Sequence, residues 1–190
     1  MIFIILLIDQ ISKIYIKTHF QLGEAVEVFN WFKILFIEND GMAWGIEIPG
    51  NYGKIILTLF RVVAIVAIGY WLNKSIEEKA ANVLVFSIAL ILAGAIGNII
   101  DSVFYGLIFD GSYGQVATFF AEQPYGELLK GKVVDMLYFP IYDDTLPEWV
   151  PIWGGENFVF FEPVFNIADT SISIGFILLL IFNKKAFPKK

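Results

Sequence analysis

With 190 residues, 57% of them hydrophobic and only 17% charged, and a mean hydropathy of +0.69, the chain is far more apolar than a soluble domain and belongs in a membrane. A net charge of -6 and a lone arginine, Arg61, leave no basic stripe for phosphates, which excludes nucleic acid as a partner. Cysteine is absent, so disulfides, thiolate nucleophiles and thiolate metal sites are excluded, and the chain offers no thiol of its own for lipidation.

The first apolar run, Met1 to about Ile16, has no basic residue before it and is interrupted by Asp9 and Lys13. It predicts a retained membrane helix over about residues 1–17 rather than a cleaved leader, with its natural start upstream of Met1. The alternation in AVEVFNWFKILFIEN then predicts a half-buried strand pair, closed by a turn at NDGMAWG. Three further stretches, about 53–72, 81–101 and 163–182, reach the roughly 20 mostly apolar residues that cross a bilayer core. Between the last two, residues 102–162 are punctuated by GSYG, Pro124, Pro140, Pro147, Pro151 and Gly154–Gly155, which forbids a continuous helix. Their many Trp, Tyr and Phe residues suit the headgroup level.

Lysines set the orientation. Lys74 and Lys79 lie between the second and third runs, and Lys184, Lys185, Lys189 and Lys190 follow the last, whereas residues 102–162 are strongly acidic. Positive charge stays in the cytoplasm, so both termini are expected there and segments of about 18–52 and 102–162 outside. The expected fold is therefore an all-α membrane protein with four transmembrane helices and a small extracytoplasmic β/loop region, one membrane-embedded domain over 1–190.

Polar groups in such runs need partners, because a charge in hydrocarbon costs several kcal/mol even on lenient insertion scales, on the order of 3 kcal/mol. Asp9 and Lys13 are spaced i, i+4 on the first helix, with the acid N-terminal to the base, and can satisfy each other. Asn98 and Asp101 are spaced i, i+3 at the outer end of the third helix, with Gly94 on the same face. Asn166 and Asp169 repeat that spacing at the start of the fourth, where an acid also complements the helix dipole. Taken alone, Asp135 after GKVV reads as a solvated loop acid, and Arg61 as a side chain that reaches back to the interface.

In order along the chain, these positions resemble the sequence boxes of the lipoprotein signal peptidase (signal peptidase II) family. DQISK (Asp9 to Lys13) resembles its Asp-x-x-x-Lys, NDGMAWG its Asn-x-Gly-x-Ala box, and AGAIGNIID its Gly-rich box. KVVDM and FNIAD resemble the boxes that carry its two catalytic aspartates. Each box is short, but their order across nearly the whole chain is specific. The resemblance implies an aspartic endopeptidase without metal or organic cofactor, with Asp135 and Asp169 as the catalytic pair. It implies that Asp9, Lys13, Asn39, Gly41, Asn98, Asp101 and Asn166 support the site. It also implies a diacylglyceryl-modified prolipoprotein substrate cut just before the lipid-modified Cys, in the inner membrane of a bacterium, towards its outer face. Membrane lipid is then the surroundings, and a monomer suffices.

Two acids brought within a few Å retain one proton between them, which suits water activation by one and protonation of the carbonyl by the other. The chain departs from the family pattern at Ser102, where the family carries Arg, and in its longer intervals from Asp101 to Asp135 and from Asp135 to Asp169. Arg61 is expected to supply the missing cationic contact, to Asp101 or to substrate. The alternative function is a small proton-coupled transporter or subunit, which would spread its acids through the membrane depth. A Ser12–Lys13 peptidase is disfavoured because adjacent helical residues point about 100° apart, and the non-enzymatic reading is a membrane scaffold whose outer segments bind a partner.

Overall fold

Helix α1 (Ile2–His19) buries Asp9, Lys13, Ile16 and Lys17, while Phe3, Ile4, Leu7, Ile8 and Ile11 on its other faces are exposed. The buried stripe is thus largely charged and the outer surface apolar, the reverse of a helix in water. Strands β1 (Ala25–Phe29) and β2 (Phe32–Asn39) follow as an antiparallel pair, as their alternation predicts. Helices α2 (Gly53–Glu77) and α3 (Asn82–Ile100) come next. The end of α3 widens into a π turn over Asp101–Tyr105 and closes with the single turn α4 (Gly106–Ile108). After a long loop come β3 (Val133–Tyr138), the hairpin of β4 (Tyr142–Thr145) and β5 (Asn157–Phe160), β6 (Val164–Phe165), α5 (Ile167–Ile181) and α6 (Asn183–Ala186). This computed structural model describes residues 1–40 and 53–188.

The expectation of an all-α, four-helix membrane fold is corrected. A four-stranded antiparallel sheet, in the order β1-β2-β3-β6, and a two-stranded hairpin are integral to the architecture. Two helical stretches among the described residues, Gly53–Glu77 and Asn82–Ile108, are long and apolar enough to cross a membrane. The physical reasons lie in the other two candidates. Three charges, Asp9, Lys13 and Lys17, fall within the 18 residues of α1. Helix α5 has 15 residues, about 22 Å at 1.5 Å per residue, short of a hydrocarbon core of about 30 Å. The fourth apolar run was expected to begin at Pro163, but its first residues are spent on β6, which pairs with β3.

Helix α3 is the central pillar, packed against α1, α2 and α5. Helix α2 sits at the edge and leaves Phe60, Val63, Val66 and Tyr70 exposed, as a lipid-facing surface would. One apolar cluster joins Leu72, Leu84, Ile88 and Leu92 to Ala186 and Ile2, which brings both ends of the described chain to the α2–α3 turn. A second cluster, with Ile16, Phe36, Tyr105, Phe109, Val134 and Met136, fills the space between the sheet and the opposite ends of α1 and α3.

The approach of α3 to α5 depends on glycine. A Cβ on Gly94 would lie 2.1 Å from the Ala168 carbonyl oxygen and 2.7 Å from Ile172, so the two helices touch backbone to side at that level. Gly94→Ala is expected to destabilise the fold by about 1–3 kcal/mol through overpacking, read as a lowered thermal unfolding midpoint in detergent. An unchanged midpoint would mean that the helices are not held at this separation.

Candidate active site

Strand β3 lies between β2 and β6, and this central place carries Asp135 into the interior, 3% exposed. In the β2–β3 ladder Ile37 stands opposite Asp135 and Asn39 opposite Val133, so Asn39 and Asp135 share a face of the sheet. Asn39 Nδ2 donates to Asp135 Oδ2 at 3.3 Å. On the other side of β3, the short β6 pairs Phe165 with Leu137 and delivers the next residue, Asn166, to the same place.

Asn166 then starts α5 with a capping box. Its side-chain oxygen accepts from the Asp169 backbone N–H at 2.9 Å, and Asp169 Oδ2 accepts from the Asn166 N–H at 3.3 Å, which satisfies donors that a helix start leaves open. The amide of the same Asn166 side chain donates to Asp135 Oδ1 at 2.7 Å, to Asn98 Oδ1 at 3.0 Å and to the Val134 carbonyl at 3.2 Å. Asn98, on α3, donates to Asp169 Oδ1 at 2.7 Å. Asp135 and Asp169 are therefore bound into one network through two asparagines. Burial first, and then the charge of Asp169, push the Asp135 carboxyl up to about 7.

Beneath this network the ammonium of Lys13 is fully enclosed. It lies 3.0 Å from Asp9 Oδ2, 2.8 Å from Asp101 Oδ2 and 2.9 Å from Asn98 Oδ1, so its three protons have three acceptors. Asp9 Oδ1 accepts from the Ala168 N–H at 2.9 Å, and Asp101 Oδ2 from the Val134 N–H at 3.3 Å. A Cβ on Gly97 would lie 2.7 Å from Asp9 Oδ2, so only a bare backbone leaves that carboxylate its place. The π turn begins at Asp101, a local widening of the kind often found at functional sites.

Gathered in one place are thus Asp135, Asp169, Asn39, Asn98, Asn166, Asp101, Lys13 and Asp9. Gly41 lies outside the described residues, as does the rest of its box after Asp40. The expected partnership of Arg61 with Asp101 is corrected: Asp101 is taken up by Lys13, Gln10 and the Val134 N–H. Among the described residues Arg61 makes no ion pair, and the carboxylate with which it interacts electrostatically is Asp169. Ser102 is buried, and its hydroxyl donates to the Asn98 carbonyl of its own helix at 3.0 Å.

Sequence reasoning missed Gln10 and Tyr105. Gln10 Nε2 donates to Asp101 Oδ1 at 2.9 Å and to Asp9 Oδ2 at 3.1 Å, while Tyr105 donates to Gln10 Oε1 at 3.1 Å. The signal was Gln10, a further polar residue beside Asp9 in the polar stretch DQISK that interrupts the apolar run. Among the described residues, no group of three or more His, Asp or Glu is placed to hold a metal ion.

Comparison with known proteins shows the family. The family model described as Signal peptidase (SPase) II matches residues 1–184. A lipoprotein signal peptidase of Porphyromonas gingivalis is 49% identical over 183 residues, covering 95% of this chain and 80% of the relative. One from Amoebophilus asiaticus is 36% identical over 184 residues, covering 94% and 73%. A bacterial membrane enzyme solved in meso at 1.9 Å resolution superposes with a TM-score of 0.63 at 26% identity, over 98% of this chain and 91% of that one. A match over nearly the whole length, in relatives and in fold alike, means that this chain belongs to the signal peptidase II family, bacterial membrane peptidases.

Proposed function

We propose that the chain is an aspartic endopeptidase that removes the signal peptide of diacylglyceryl-modified prolipoproteins, with Asp135 and Asp169 as the catalytic pair. The observation that carries this reading is the shared asparagine network, which binds two carboxyl groups from different elements into one site. Burial and the Asp169 charge favour the protonated form of Asp135. Asp135 is therefore read as the acid that donates to the scissile carbonyl, and Asp169 as the base that takes a proton from the attacking water. Collapse of the tetrahedral intermediate returns a proton to the leaving amine and restores the starting state. The asparagines keep both carboxyls at fixed positions through these transfers, and Lys13 holds α1 and α3 together below them. Each of these groups comes from one chain, so the reading needs no second copy.

Orientation follows the same reading. Ile2, Ala186 and the α2–α3 turn share one end of the bundle, and Lys74, Lys79, Lys184 and Lys185 mark that end as cytoplasmic. Asp101 and the sheet lie at the other end of α3, which supports a site towards the outer face. There a lipid-modified Cys keeps its acyl chains in the bilayer while the peptide bond meets the acids. A proton-coupled transporter would instead need acids spread along a path through the membrane.

Asp135→Asn and Asp169→Asn are each expected to lower kcat by about 10²–10⁴-fold while leaving a folded, inserted protein. Near-normal processing of a diacylglyceryl-modified prolipoprotein by either purified variant would remove that residue from the pair.

The pH profile gives a second check. Asp135 is protonated below its raised pKa, so kcat/KM is expected to fall as pH rises through about 7 and the shared proton is lost. A rate that is flat across neutral pH would contradict the assignment of the proton.

Lys13→Met would leave Asp9 and Asp101 buried without a counter-charge, an expected loss of about 3–5 kcal/mol. Adding Asp9→Asn and Asp101→Asn should recover part of it. Equal unfolding midpoints for the single and triple variants in one detergent would show that the charges do not pair.

A further inference from the structure

A second charged cluster is buried on the opposite face of β2, and the peptidase chemistry does not use it. Lys17 and Glu38 are 1% and 6% exposed and form an ion pair. The Lys17 ammonium also donates to Ser112 Oγ at 2.8 Å, and the Ser112 hydroxyl donates to Glu38 Oε1 at 2.8 Å. The rings of Tyr125, Phe109 and Phe36 surround the ammonium at 5.0, 5.3 and 5.9 Å, within cation–π range. Lys132 stands 3.6 Å from Glu38 Oε2 at the edge of the cluster, and the charge of Asp110 reaches Lys17 from the loop.

A buried ion pair contributes little net stability, because desolvation offsets its attraction, and its best-attested use is to fix register. Register is in question here. The β2–β3 ladder is irregular between Ile34 and Ile37, just before Glu38, and its last pair is Asn39 with Val133. A slip of one residue in this final stretch would turn Asn39 away from Asp135 and bring the Glu38 side chain to the acid pair. Neither neighbouring side chain is free to make that exchange while Glu38 is bound to α1.

We propose that the Lys17–Glu38–Ser112 cluster is a positioning device for the acid pair, which locks the end of β2 so that Asn39 presents its amide to Asp135. Through Ser112 and Tyr125 it makes that placement depend on the long loop between α4 and β3, whose backbone is tied to the start of the sheet by the Leu22 N–H to Ser112 carbonyl bond. Lys17, Glu38 and Ser112 are positioning residues that act through Asn39 and do not touch substrate. The inference rests on the reading of Asp135 as one of the catalytic acids.

The test compares Glu38→Gln, Lys17→Met with Glu38→Gln, and Ser112→Ala in purified full-length enzyme, with Asp135→Asn as the reference. The substrate is a diacylglyceryl-modified prolipoprotein in detergent, and the readouts are kcat, KM, the pH profile and thermal unfolding. Glu38→Gln is expected to lower kcat by about ten- to a hundredfold, as a displaced site does, with KM changed by less than about twofold. It should also move the neutral limb of the pH profile upward, because loss of the Asn39 donor lets Asp135 hold its proton to higher pH. The double variant removes the uncompensated ammonium and should recover part of kcat. Ser112→Ala should shift the limb in the same direction by less, and these two variants carry the test if Glu38→Gln does not fold. An unmoved pH limb, with kcat falling only as the folded fraction falls, would overturn the proposal and leave the acid pair standing. Wild-type activity of Asp135→Asn would overturn the catalytic reading and this proposal with it.

Discussion

Everything at the site is arranged around one ammonium ion that has no access to water. Lys13 reaches its place on a helix whose outer surface is apolar, and three acceptors from α1 and α3 close around it. A lone charge there would be prohibitively costly, and so would either carboxylate without it. The cluster has value only when complete. Its completion fixes the relative depth of α1 and α3, and the second oxygen of Asp9 and the Lys13-bound oxygen of Asp101 are then in place to hold α5 and β3 by their backbone N–H groups.

From that base, secondary structure does the positioning. Strand β3 brings an acid in from the sheet, and α5 brings another in from its first turn. The two arrive from different directions and meet at Asn98 and Asn166, which are neutral and can donate and accept at once. Charge is thereby concentrated in two layers, the Lys13 cluster below and the Asp135 and Asp169 carboxyls above. The neutral amides of Asn98 and Asn166 stand between the two layers.

How far the sequence discloses this depends on the kind of interaction. Asp9 and Lys13 are legible because helical spacing puts them on one face, and the strand pair β1–β2 because alternation has a period of two. The fold class was misjudged because hydropathy counts apolar residues and is blind to what they pack against. Val164 and Phe165, counted into the fourth apolar run, serve a sheet instead by pairing with β3. Asp135 is the clearest loss: nothing in KVVDM tells a loop acid from one on a central strand, and only the resemblance drew attention to it. Lys17 and Glu38 escaped for a related reason. Their pairing is long-range, and the i, i+4 continuation from Lys13 to Lys17 was the one local trace of it.

The double duty of Asn166 bears on how such a chain can drift. As a helix start alone, the position would accept Asp or Ser about as readily as Asn, since all three offer an oxygen to the first-turn N–H groups. Neither replacement has an amide with which to meet Asp135, Asn98 and the Val134 carbonyl. The capping requirement and the site requirement overlap at a single residue type. Mutational neighbours that are harmless for the helix would therefore break the side-chain network, and the position is expected to be held more tightly than helix capping alone demands.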